Sequence, residues 1–236
     1  MSIAENVSRI LDNIKKAAIS AGRDPQEITL CAATKMNSAD RVRQAIAAGV
    51  TCCGENRVQE LTEKLAQNAY EGASVHFIGH LQTNKVKYVV GKVALIQSVD
   101  SIRLLDAIHK EAQKQGIIQN ILLELNLAGE TSKSGFSVEE IWQLLPKICN
   151  YPHIQVLGFM TIPPICHNSG ENDKFFQEMY NLSVDITAKK YDNIKASILS
   201  MGMSDDYADA IRCGSSMVRV GTAIFGARDY SKYNQS

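Results

Sequence analysis

Apolar and polar positions along this chain follow two different periods. From residue 2 to about 20, Ile3, Val7, Ile10, Leu11, Ile14 and Ala18 recur at helical spacing, and Ser2 with Glu5 forms a capping-box pair. The spacing predicts an amphipathic N-terminal helix over about 2–20, closed by Gly22 and Pro25. Eight short apolar runs rich in strand formers follow, at 28–35, 51–56, 75–82, 94–100, 120–128, 154–162, 194–200 and 217–225. Between them lie stretches of helical period that start near Ser38, Arg57, Asn84, Ser101, Ser137, Glu171 and Asp205. Gly49, Gly91, Gly116 and Gly214 stand where left-handed helix ends are expected.

Strands that are apolar on both faces need helices over them, and their alternation with helical stretches predicts a parallel sheet. Eight repeats predict an α/β fold closed into a single (β/α)8 TIM barrel, one domain over residues 1–236. The eighth run ends so near residue 236 that its helix should be short, missing or replaced by the N-terminal helix, with a short polar tail behind it.

Composition narrows the function classes. With 45% hydrophobic and 21% charged residues the chain is neither disordered nor fibrous. Lys plus Arg number 25 and Asp plus Glu 25, which argues against a nucleic-acid partner, since neutralising phosphates takes a concentrated basic face. No apolar run approaches the roughly 18–20 residues that cross a bilayer, and charges are spread through the first sixteen residues, so no membrane association and a cytoplasmic location are expected. The cysteines, Cys31, Cys52, Cys53, Cys149, Cys166 and Cys213, form no CxxC pair and read as reduced, mostly buried thiols.

In a barrel of this kind the chemistry gathers at the C-terminal strand ends. Lys35 closes an apolar run, where a lysine is costly unless paired or functional. Desolvation would suit its amine to Schiff-base formation, and a lysine reaching to solvent is the alternative. Ser200 to Asp206 puts small residues between a strand and a helix start, either a phosphate-binding loop with Asp205 and Asp206 as caps or a plain turn. Arg219 points a charge inward, toward a ligand or toward Glu55 or Glu124, and Gly221 and Thr222 follow it. Asn56 can meet a ring substituent, while Glu55 and Arg57 can equally form a salt bridge. His76 and His80 lack the helical frame of a zinc pair, and Cys52-Cys53 reads as core packing.

The ordered strings Ala-Ala-Thr-Lys35, Gly-Glu-Asn-Arg-Val-Gln-Glu (54–60), His-Phe-Ile-Gly-His-Leu-Gln-Thr-Asn-Lys (76–85), Gly-Phe-Met-Thr-Ile (158–162), Ser-Met-Gly-Met-Ser-Asp-Asp (200–206) and Arg-Val-Gly-Thr-Ala-Ile-Phe-Gly-Ala-Arg (219–228) resemble the pyridoxal phosphate homeostasis protein family, also called the YggS or PROSC family. The resemblance implies a barrel of the alanine-racemase N-terminal type (fold type III) that binds pyridoxal 5′-phosphate (PLP). By position, Lys35 matches the Schiff-base lysine, and Ser200, Gly221 and Thr222 match phosphate-binding positions. Arg219 matches an arginine facing the pyridine nitrogen, and Asn56 a residue beside the ring. Departures are Ala-Ala-Thr-Lys35 where Val-Ser-Lys is more usual, and Cys52-Cys53 in place of a bulky apolar residue.

An arginine at that nitrogen keeps it unprotonated and makes the ring a weak electron sink. Racemases of this barrel type also draw an acid/base tyrosine from a further β domain of a partner subunit, for which no room is expected before residue 236. The expectation is therefore a monomeric, non-enzymatic carrier that buffers PLP and serves PLP-dependent apoenzymes. The alternatives are a weak PLP-dependent amino-acid racemase or related enzyme, and a Schiff-base lyase or other phosphate-metabolite enzyme without PLP.

Overall fold

Hydrogen bonding between strands buried on both faces leaves closure as the way to remove the sheet's edges, and closure is what the chain achieves. The computed structural model describes residues 1–130, 133–166 and 168–226. Eight parallel strands, β1 (Thr29–Ala33), β2 (Cys52–Glu55), β3 (Ser74–Phe77), β4 (Leu95–Val99), β5 (Gln119–Leu125), β6 (Ile154–Thr161), β7 (Ile194–Ser200) and β8 (Met217–Val220), pair in chain order, and β8 returns to β1. Around them run α1 (Ile3–Ser20), α2 (Ala39–Ala47), α3 (Val58–Ala66), α4 (Ile102–Gln115), α5 (Val138–Leu144), α6 (Asp173–Ala188), α7 (Tyr207–Arg212) and α8 (Thr222–Phe225).

Helix starts follow their caps. The Ser38, Ser101 and Ser137 side chains accept from backbone N–H groups one turn on, and Ser2–Glu5 and Ser137–Glu140 are complete capping boxes. The glycines at 49, 91, 116 and 214 all take positive φ. One expected helix differs: the segment from Asn84 lies in 3-10 turns over Thr83–Tyr88. Gln82 supplies no side-chain cap there, and the tighter i to i+3 turns bury Val86 while Lys85 and Lys87 stay at the surface.

Alternation along the strands separates two cores. Outward residues such as Leu30, Cys53, Phe77 and Val218 pack against the helices, and the N-terminal helix joins this layer through Val7, Ile10 and Ile14. Burying each of these three is worth roughly 1.5–3 kcal/mol. Asn6 Nδ2 donates to Ile224 O at 2.9 Å, so α1 covers the place where the four-residue α8 is too short. Inward residues fill the barrel as Cys31, Cys52, Met217 and Leu95, Leu122, Met160. The expected polar tail, residues 227–236, lies outside the described residues. Among the described residues no helix is long and apolar enough to cross a membrane.

Candidate functional site

The inward positions change character from the middle of the barrel to its C-terminal end, where aliphatic and sulfur side chains give way to Arg219, Glu124, Lys35, Asn56 and Asn126. These last five line one cavity of about 510 Å³, together with Gly221, Thr222, Met203, Ser204 and Asp205. The volume is that of a small-ligand site. Lys35, Asn56, Arg219, Gly221 and Thr222, singled out in the sequence, therefore meet in one place.

Lys35 follows β1 directly, and its backbone is clamped on both sides. Lys64 of α3 sends its ammonium to Thr34 O at 2.8 Å, Glu55 Oε2 at 2.6 Å and Glu60 Oε2 at 3.0 Å. Glu60 Oε2 also accepts from Met36 N at 2.7 Å, and Met36 takes φ 60 to turn the chain there. Glu55 accepts further from Thr34 Oγ1 at 3.1 Å and Tyr70 OH at 3.2 Å, and its other oxygen takes Asn56 N at 3.0 Å. Burial and the Glu55 charge push the Tyr70 hydroxyl well above the usual phenol range. Glu55 is thus engaged by Lys64. Glu60 and Lys64 were missed in the sequence, where an i, i+4 acid–base pair on a helix reads as a solvent pair; their one signal is that they bracket the apolar Leu61.

Arg219 stands on β8 and is 5% exposed. Among the described residues its hydrogen bonds end on neutral oxygens: Nη1 to Ser200 O at 2.7 Å and Ser200 Oγ at 2.6 Å, and Nη2 to Thr161 O at 2.8 Å. Desolvation lowers its pKa, and Glu124 opposes that shift. A buried guanidinium held only by neutral acceptors is an incompletely compensated charge. Glu124, on β5, is pushed up to about 7, first by burial and then by Asp100, with Arg219 acting the other way.

Ser200 is placed differently from the expectation. It is fully buried, does not line the cavity, and donates its hydroxyl to Gln97 Oε1 at 2.6 Å while accepting from Arg219. The register that pairs Ser200 with Met217 points it into the barrel below the cavity floor. Gly202, at φ 93 and with Ala210 Cβ only 2.6 Å from where a Cβ would sit, then folds the chain back so that Ser204 reaches the wall. Asp206 shapes the same loop rather than capping α7 with its side chain: it accepts from Met203 N at 2.7 Å and Asn172 Nδ2 at 2.8 Å. At Gly221, a Cβ would come within 3.2 Å of Ala33 Cβ and 3.3 Å of Ala33 O, so a side chain there would push β8 and β1 slightly apart.

His80 and His76 separate. His80 is exposed beyond β3 and pairs with Asp100 Oδ2 at 3.1 Å at the rim, whereas His76 faces the barrel interior. Gln82 lines a neighbouring groove with Arg57 and Lys85 and not the central cavity. Two buried amide oxygens on the cavity, Asn56 Oδ1 and Asn126 Oδ1, have no hydrogen-bond partner among the described residues. A buried acceptor without a donor costs about 1–3 kcal/mol, so both point to a ligand with donors or to bound water.

The alanine racemase N-terminal domain matches residues 6–229. The pyridoxal phosphate homeostasis protein of Aquifex aeolicus is 40% identical over 98% of this chain and all of its own length. A crystal structure of an unknown protein from Bifidobacterium adolescentis is 37% identical with a TM-score of 0.88, each chain covered to 94%. PipY of Synechococcus elongatus, solved with PLP bound, is 28% identical with a TM-score of 0.82, over 95% of this chain and all of that one. Near-complete coverage of full-length relatives at this identity, on the same closed barrel, establishes that the chain belongs to the pyridoxal phosphate homeostasis protein family, built on the alanine racemase N-terminal domain.

Proposed function

We propose that this chain binds PLP reversibly as a Schiff base on Lys35 and serves as a carrier that keeps the free aldehyde low and releases it to PLP-dependent apoenzymes. One observation carries the reading: an amine, an incompletely compensated guanidinium and a small-residue wall with two hydroxyls converge on one cavity. When bound, PLP supplies an aldehyde for the Lys35 amine and a phosphate dianion for the opposite wall. Ser204, Thr222 and the backbone at Gly221 form that wall, and Arg219, on the same cavity, faces the pyridine nitrogen. The unpartnered Asn56 Oδ1 fits a donor on a ring substituent. The buried network around Lys64 fixes the backbone of Lys35 from both sides, which sets where the amine can reach.

An enzyme is the second reading, and Glu124 is the observation that favours it. A carboxyl pushed up to about 7 on the same cavity takes up and releases a proton near neutrality.

The test is an absorption spectrum of the protein with PLP, before and after borohydride, with mass mapping of the adduct and a screen of amino acids for turnover. A band fixed by borohydride onto Lys35, lost completely in Lys35→Ala, with every amino acid returned unchanged, is expected. A spectrum that PLP does not alter would overturn PLP binding. Turnover abolished by Glu124→Gln would move the protein to the enzyme reading.

A further inference from the structure

We propose that Cys31, Cys52 and His76 form a buried, three-coordinate site for one Cu(I) ion inside the barrel, beneath the floor of the Lys35 cavity. The three residues stand on consecutive strands β1, β2 and β3. Register pairs Cys31 directly with Cys52, and strand alternation turns both sulfurs inward. His76 joins them from the next strand, with Nδ1 3.4 Å from Cys52 Sγ, and all three donor atoms lie within 4.8 Å of one another. Rigid paired strands hold the donors, which favours a pre-formed site.

The donor set selects the ion. Two thiols and an imidazole are soft to borderline ligands, and no carboxylate belongs to the cluster, so Mg(II), Ca(II) and Mn(II) are disfavoured. The surrounding walls are Met217, Ile78 and Ile198. Zinc normally completes four positions with a further protein ligand or water, whereas three donors in an apolar, sulfur-lined chamber suit Cu(I). Met217 Sδ, 3.1 Å from Gln97 Nε2 and so on the same side of the barrel, offers a weak thioether as a fourth contact.

Gln97 is the group the ion would displace. Its Nε2 lies 2.9 Å from His76 Nδ1 and 4.0 Å from Cys31 Sγ, while its Oε1 accepts from Ser200. On loading, each sulfur bonds to the ion as its proton leaves to solvent, and the His76 Nδ1 lone pair turns from Gln97 to the metal. Two thiolates and one monovalent cation leave a single negative charge, and the Arg219 guanidinium, held above through Ser200, supplies a positive one.

The full-length, reduced protein is titrated anaerobically with Cu(I) against a chromogenic Cu(I) chelator, and the loaded protein is measured by X-ray absorption. One equivalent per chain with two sulfur and one nitrogen neighbours is expected. Cys52→Ser should weaken uptake beyond the roughly 10–100-fold caused by loss of a supporting group. A variant carrying Cys149→Ser, Cys166→Ser and Cys213→Ser, all outside the cluster, should keep the full equivalent. Absence of stoichiometric uptake, a copper shell of sulfur alone, or uptake lost with those three surface-side cysteines would overturn the assignment. So would loss of two titratable thiols in air without copper binding, which would make Cys31 and Cys52 a disulfide pair. If Cys52→Ser fails to fold, the scattering shell of the unaltered protein decides.

Discussion

The two walls of the cavity are built by opposite means. Behind Lys35 and Asn56 stands a buried ionic cluster in which one ammonium, two carboxylates, a phenol and a threonine tie the ends of β1 and β2 to α3. Behind Ser204, Gly221 and Thr222 the bonds are mainly neutral: Met201 N to Met217 O at 3.1 Å, Arg219 N to Gly202 O at 2.9 Å, and the Ser215 hydroxyl among the carbonyls of Leu199, Met201 and Met217. The difference follows from what each wall presents. A flexible lysine reaches a fixed point only if its backbone is fixed, and ionic bonds in a dry interior do that strongly. On the wall proposed here to meet the phosphate, the Asp206 carboxylate is occupied by Met203 N and Asn172.

Removing one charge therefore breaks the lysine wall first. Lys64→Met keeps most of the side-chain volume but leaves the fully buried Glu55 without its cation, which costs about 3–5 kcal/mol. The expected result is a lower urea midpoint with an unchanged slope, and a Lys35 adduct that forms more slowly. Ser215→Ala on the other wall should cost about 1–3 kcal/mol by the same measurement. Equal losses would remove the contrast between the walls.

The barrel was legible because both faces of most strands are covered, which writes near-continuous apolar runs into the chain, and because Ser38, Ser101 and Ser137 mark helix starts where their hydroxyls cap them. Lys35 and Arg219 were legible as charges set in apolar runs. What the chain did not disclose depends on register between distant segments. Glu60 and Lys64 look like a surface pair until β1 and β2 bring Thr34 and Glu55 beside them. Of the two serines in this loop the sequence singled out Ser200, whereas the turn at Gly202 sends Ser200 below the cavity floor and brings Ser204 onto its wall. The Cys31, Cys52 and His76 cluster needs the pairing of three strands to exist at all.

Between the walls, Glu124 gives the comparison a pH axis. Its carboxyl is pushed up to about 7 by burial, above the ordinary value near 4.3 that it regains on unfolding. Across that window the folded state holds a proton that the unfolded chain has lost, so stability falls as pH rises from about 4.3 to about 7 and then levels off. Without added PLP, Glu124→Gln should match the parent at pH 4 and exceed it at pH 8, by up to about 4 kcal/mol. Parallel Tm–pH curves for the two proteins would show that Glu124 is ionised throughout and that the cavity is wetter than its burial implies.

The smallest effect separates Ser204, on the cavity wall, from Ser200, beneath it. Ser204 lines the cavity, so Ser204→Ala removes one hydroxyl from a bound phosphate and should raise the PLP dissociation constant about three- to tenfold, with Tm unchanged. Thr222→Val should do the same, and the double variant should approach the product of the two if both hydroxyls meet the phosphate without sharing a bond. Ser200 is bonded to Gln97 and Arg219 instead, so Ser200→Ala should lower stability by about 1–2 kcal/mol through the lost partners and leave PLP affinity within about twofold. A Ser200→Ala protein that is fully stable but binds PLP tenfold more weakly would put the phosphate on Ser200, and would require the β7 end to turn toward the cavity when the ligand enters.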